Sequence, residues 1–247
     1  MRTPVTAVLL ASAALAAAAE QYPQHDRNRP APKVVAPGQA VSAPAPADAV
    51  VLFDGKDLSQ WRSQKDKGAA APWKVADGAF EVVKGTGGIE TAQGFGDCQL
   101  HIEWMAPSPP VGTDQDRGNS GVFFMNIYEL QVLDSYQAAT YPDGQAGALY
   151  GQFPPLVNVS RPPGEWNAYD VVFRAPRFGP DGKLLKPARV TAFQNGVLIQ
   201  DAQELLGPTT NKVRTPYSAH ADKLPLSLQD HGHPVRFRNV WIRELPE

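Results

Sequence analysis

Seven consecutive residues, Tyr128-Glu129-Leu130-Gln131-Val132-Leu133-Asp134, hold the side chains best suited to proton chemistry. On an extended strand Glu129 and Gln131 share one face, while Leu130 and Val132 turn to the other, toward a core. Asp134 falls on the wrong side of a regular strand. A bulge near Leu133 would return it beside Glu129 and Gln131. Two carboxyl groups and an amide would then meet one ligand. The same spacing also describes an edge strand whose polar residues face water.

Two further segments carry candidates. Gly118-Asn119-Ser120-Gly121 precedes the neighbouring strand; it reads as a turn, or as a way to present the Asn119 amide to a sugar hydroxyl. In Leu228-Gln229-Asp230-His231-Gly232-His233-Pro234-Val235-Arg236-Phe237-Arg238, Gln229 and His231 share a face, as do Arg236 and Arg238. Two strands joined at Gly232–Pro234 would bring His231 near both arginines, where it serves as acid–base or as an electrophile. A lone His in such a turn is as readily a capping residue. His231 and His233 lack a third ligand at fixed spacing, so no metal and no cofactor is expected, and a divalent cation has no support.

The elements that must position these residues read as β. Val50–Phe53, Trp73–Val75, Ala79–Val83, Gln99–Met105, Gly121–Ile127, Tyr128–Leu133, Trp166–Arg174, Arg189–Phe193, Val197–Gln200, Leu224–Leu228 and Val235–Ile242 are short apolar or alternating runs. Turn residues separate them, with Asp77-Gly78 and Asn195-Gly196 as hairpin signals. Gln203–Leu206 is at most one helical turn. Many short strands predict an all-β antiparallel sandwich. Trp61, Trp73, Trp104, Trp166 and Trp241 alternate with apolar residues and are assigned mostly to the core. Asp114, Asp116 and Arg117 read as a solvated loop. The long stretch Ser135–Glu165 has few strand signals and is expected to shape a site.

The N-terminus reads as an export signal over residues 1–19: Arg2, an apolar Ala-rich run, then Ala17-Ala18-Ala19. The run is too short to span a bilayer. The expected location is therefore periplasmic or extracellular. Residues 20–48 are Pro- and Ala-rich and predict a disordered, extended linker. Residues 49–247 form one domain. A formal net charge of −2 and no basic stripe argue against a nucleic-acid partner. The single Cys98 permits no intrachain disulfide and no multi-Cys metal site, and packs as a small hydrophobe.

Together these motifs resemble the 3-keto-disaccharide hydrolase family from about Val51 to Leu245. The resemblance rests on Leu52-Phe53-Asp54-Gly55-Lys56-Asp57-Leu58 with Trp61, on Phe95-Gly96-Asp97, on the Asn119 and Glu129 segments, on Gly164-Glu165-Trp166-Asn167, on Asn195-Gly196-Val197 and on Leu228–Arg238. Cys98 stands where many members have Phe, and Met125 near a position where many carry Arg. Tyr141–Gly151, with Tyr150, looks like a subfamily loop at the mouth of the site.

The resemblance implies a concanavalin A-like, laminarinase-like jelly roll. It also implies cleavage of sugars oxidised at C3, with a small sugar as substrate. Glu129, Asp134 and His231 are then the expected proton carriers, and Asn119, Gln131, Tyr150, Gln229, Arg236 and Arg238 the expected substrate contacts. Glu-x-Gln-x-x-Asp is also similar to the Glu-x-Asp-x-x-Glu strand of laminarinase-type glucanases, where the outer carboxylates do the chemistry; Gln131 departs from it. A glycosidase on unoxidised glucans and a non-catalytic carbohydrate-binding module therefore stay open.

Overall fold

The computed structural model describes residues 22–38 and 42–246. Residues 1–19, read from sequence as an export signal, lie outside them. Among the described residues no helix is long and apolar enough to cross a membrane. The one helical turn among the described residues is a 3₁₀ turn at Pro142–Gly144.

Two antiparallel sheets face each other. The smaller has five strands in the order Trp61–Ser63, Ile89–Phe95, Leu224–Leu228, Ser120–Phe124, Tyr128–Val132. The larger has eight among the described residues. It runs from Val197–Glu204 through Arg189–Gln194, Asn167–Arg174, Cys98–Met105, Arg236–Glu244 and Ala79–Glu81 to Lys74–Ala76, with Val50–Phe53 also on Arg236–Glu244. Alternation explains the core. Leu100, Ile102 and Trp104 from one sheet meet Val122, Leu130 and Val132 from the other, all at most 1% exposed. The expected all-β antiparallel sandwich is thus what the chain forms. Trp61, Trp73, Trp104 and Trp241 are buried, and Cys98 is 1% exposed, its thiol pKa pushed up by burial.

The hairpin signals hold where both turn residues take positive φ: Asp77 and Gly78 at 52° and 69°, Asn195 and Gly196 at 53° and 78°. A third such turn, Met125-Asn126 at 57° and 59°, joins the strands Ser120–Phe124 and Tyr128–Val132. Met125, which stands near the position where many members carry Arg, packs there in the core at 2% exposure. Gln203 and Glu204 end a strand rather than form a helical turn.

The described part of the Pro-rich segment packs against the domain. Lys33–Val34 pairs in parallel with Val157–Asn158, and the Val35 N–H donates to the Asn158 carbonyl at 2.9 Å. Ser42 Oγ donates to Glu103 Oε1 at 2.6 Å, and Trp241 Nε1 donates to the Ala43 carbonyl at 3.0 Å. Proline removes N–H donors but leaves every carbonyl able to accept. Such polar docking has no hydrophobic period, so reading periodicity missed it.

Beneath Ser42 the outer face of the larger sheet holds a buried polar group. His101 Nδ1 lies 2.7 Å from Asp170 Oδ1, Nε2 lies 3.5 Å from Glu103 Oε1, and the ring stacks on Trp241. Burial works to lower the His101 pKa, but the two carboxylates outweigh it and raise it to about 9. Against the upward push of burial, hydrogen bonds led by His101 draw Glu103 down to about 2.

Candidate active site

The strand Tyr128–Val132 is an edge strand with all five residues buried. Tyr128, Leu130 and Val132 point into the core, which turns Glu129 and Gln131 to the opposite face of the sheet. Loops cover that face and leave a cavity of about 400 Å³. Glu129, Gln131 and Phe123 come from the sheet, Gln115 and Asn119 from the loop before it, and Tyr141 and Tyr150 from the long loop. Thr209, Thr210 and Asn211 close one side, with Gln229 and His231 on another.

Glu129 is the one carboxyl group among the described residues that line this cavity, and it is 5% exposed. Among the described residues no cation pairs with it, and burial pushes its pKa up to about 8. At neutral pH it is protonated, yet close enough to its pKa to give and take a proton. Its backbone is pinned by Thr209: the Glu129 N–H donates to Thr209 Oγ1 at 2.9 Å, and that hydroxyl donates to the Ile127 carbonyl at 2.9 Å. Gly121, on the adjacent strand, leaves the room that the carboxyl group occupies.

The polar wall is ordered by hydrogen bonds. Gln131 Nε2 donates to Gln115 Oε1 at 3.0 Å, and Gln115 Nε2 donates to Thr140 Oγ1 at 2.6 Å. Asn119 Nδ2 donates to the Gln115 carbonyl at 2.8 Å, which leaves Asn119 Oδ1 buried without a donor. An orphaned acceptor in a polar cavity is a place for a ligand hydroxyl. The Asn119 N–H donates to His233 Nδ1 at 3.2 Å, so the proton of that ring sits on Nε2, 3.1 Å from Asp116 Oδ1. His231 stacks parallel to His233 with centroids 6.0 Å apart, and its ring faces the cavity.

Six of the nine residues singled out from sequence thus meet in one cavity: Asn119, Glu129, Gln131, Tyr150, Gln229 and His231. Three do not. Asp134 lies beyond the strand's end at Val132 and is not among the residues that line the cavity, so it does not return beside Glu129 and Gln131. Its carboxylate instead accepts from Arg117 Nε at 2.7 Å and from the Tyr136 N–H at 3.2 Å. Arg236 and Arg238 lie on the larger sheet, because the chain between Leu228 and Arg236 crosses from one sheet to the other instead of making a hairpin. Arg236 donates to the Ala76 carbonyl at 3.0 Å; Arg238 bonds Glu103 at 2.6 Å and lies over the Trp166 ring.

The loop read as solvated is anchored as well, with Asp114 held by Arg27 and Thr140, Asp116 by His233 and Arg117 by Asp134. Tyr141, Gln115 and Thr209–Asn211 were missed. Tyr141 sat within the segment expected at the mouth; Thr209–Asn211 has no periodicity or motif to mark it.

Among the described residues no group of three or more His, Cys, Asp or Glu side chains is placed to hold a metal ion. A second hollow of about 590 Å³ lies over the larger sheet, but its Arg174 and Arg177 are both engaged by Asp97.

Comparison with known proteins agrees with the family read from the motifs. Residues 48–243 match the 3-keto-alpha-glucoside-1,2-lyase-like domain. A 3-keto-disaccharide hydrolase of Bacteroides thetaiotaomicron is 24% identical over 262 residues, covering 83% of this chain and 82% of that protein. A crystal structure of a protein from Parabacteroides distasonis, provisionally described as a glycosyl hydrolase, superposes with a TM-score of 0.79 at 48% identity, over 88% of this chain and 93% of that one. A second protein from the same organism with the same description shares the fold at a TM-score of 0.56 and 21% identity, over 81% of this chain and 94% of its own.

Proposed function

The chain belongs to the 3-keto-alpha-glucoside-1,2-lyase-like family, and from that premise we propose that it cleaves the glycosidic bond of 3-keto-glycosides, 3-keto-disaccharides among them, by acid–base elimination and hydration. The observation that carries this reading is Glu129: a single buried carboxyl group with its pKa near 8, at the floor of a polar cavity.

The chemistry suits one tuned acid better than two. A ketone at C3 acidifies the hydrogen on C2. His231 removes that proton, and the electron pair is held as the enolate. It then forms the C1–C2 double bond as the C1–O bond breaks, and protonated Glu129 delivers its proton to the leaving oxygen. Water adds to C1 of the enone while C2 is reprotonated, which restores both side chains. Asn119 Oδ1 accepts from a substrate hydroxyl, and Gln229 and Tyr150 offer further polar contacts. Displacement on an unoxidised glucan by the retaining route needs a second carboxylate about 5 Å away, and the cavity wall holds none among the described residues.

The purified domain, incubated with 3-keto-trehalose, trehalose and a β-glucan, is expected to release sugar from the ketone alone. Release from the β-glucan, or binding without turnover, would reject the reading. We also propose that residues 1–19 direct export, to the periplasm or beyond.

A further inference from the structure

We propose that residues 22–29, which lie outside the family-matched region, are part of the active-site architecture, with His25 as a positioning residue. The segment touches three of the loops that wall the cavity. Arg27 bonds Asp114 on the loop that carries Gln115 and Asn119. On the long loop, the His25 N–H donates to Asp143 Oδ2 at 3.0 Å, and Arg29 Nη1 donates to the Gln152 carbonyl at 3.0 Å. On the third, His25 Nε2 lies 3.0 Å from the Asn211 carbonyl, and Gln24 Nε2 donates to the Thr210 carbonyl.

His25 stands at the centre. Its ring packs 4.1 Å from Tyr141 and 5.1 Å from Tyr150, centroid to centroid. Those two tyrosines share a hydrogen bond at 2.7 Å, and the Tyr150 hydroxyl donates to Asn211 Oδ1 at 3.4 Å. All three of these residues line the cavity; the histidine behind them does not. His25 also holds φ at +64°, a conformation that costs energy in a non-glycine residue and persists where its surroundings over-determine it. Long loops wander unless something fixes them. Here a segment ahead of the domain fixes two against each other, and so sets where Tyr150 and Asn211 meet the sugar.

This inference rests on the proposed function, so the test carries two readouts. His25→Ala and His25→Phe, each in the full chain, are compared with the unaltered protein for kcat and KM on a 3-keto-disaccharide, and for backbone hydrogen exchange of residues 141–151 and 207–214. His25→Ala is expected to raise KM about tenfold and to speed exchange in both loops, since a small misplacement of binding groups is costly. His25→Phe, which keeps the ring against both tyrosines, is expected to recover most of the loss; a merely structural role would not split KM from kcat in this way. Unchanged KM in His25→Ala would overturn the proposal even if exchange quickens. If the unaltered protein turns over no 3-keto-disaccharide, the functional reading fails instead. Exchange then decides alone: quickened loops support the clamp, and unchanged loops overturn it.

Discussion

Gly121 and Glu129 sit on neighbouring strands so closely that a Cβ on the glycine would stand 2.4 Å from Glu129 Oε1 and 2.8 Å from Phe123 Cε2. The pocket for the carboxyl group is therefore made by a missing side chain. Gly121→Ala is expected to push the carboxyl out of place and lower kcat/KM about a hundredfold. Circular dichroism and kinetics on the purified variant check this; full activity would show that Glu129 has room to adjust.

Glu129→Gln removes the proton donor and is expected to lower kcat by about a thousandfold. The stability effect has the opposite sign. Burial raises the Glu129 pKa from 4.5 to about 8. Between those values the folded chain holds a proton that the unfolded chain has lost, so stability falls as pH rises across that window. The glutamine variant lacks this slope. It should match the parent below pH 4.5 and exceed it by up to about 4 kcal/mol at pH 8. Urea unfolding of both proteins at several pH values tests the slope, and activity is expected to decline above pH 8 as the acid ionises.

Asp134 should behave as a structural residue. Its side chain is 1% exposed and paired with Arg117. Asp134→Ala leaves that arginine without its partner and is expected to cost about 3 kcal/mol of stability. The folded fraction should keep kcat within a few-fold. A soluble, stable Asp134→Ala protein without turnover would return Asp134 to the chemistry.

His101 gives a pH signature remote from the cavity. Its pKa is raised from 6.5 to about 9 by the carboxylates that outweigh its burial. Its contribution is full below pH 6.5 and is lost as pH rises toward 9. His101→Gln should therefore be most destabilised at pH 6, by about 3 kcal/mol more than at pH 9.5. Thermal melts across that range would show the gap closing.

The fold was legible because alternation and turn chemistry agreed. Leu100, Ile102 and Trp104 needed no partner to declare a face, and Asn195-Gly196 needed only its own φ. Within the site, Glu129 and Gln131 were legible for the same reason: the period of a strand is local. Asp134, Arg236 and Arg238 failed because their placement is not local. Whether a chain bulges at Leu133, or crosses between sheets after Leu228, is settled by contacts with distant residues such as Arg117. His25 lay in a segment whose composition predicted disorder, and its contacts join residues more than a hundred positions apart.

The strand that carries Glu129 ends its sheet, yet its outer edge is not bare. The Gln131 N–H donates to the Ala148 carbonyl at 3.0 Å, and the Gly147 N–H donates to the Gln131 carbonyl at 2.9 Å. Open strand edges recruit other chains into aggregates. The loop that shapes the cavity thus also keeps neighbouring molecules apart. Any remodelling of Gly147–Tyr150 to admit a bulkier sugar must leave this main-chain cover in place, or solubility will fail before specificity can change.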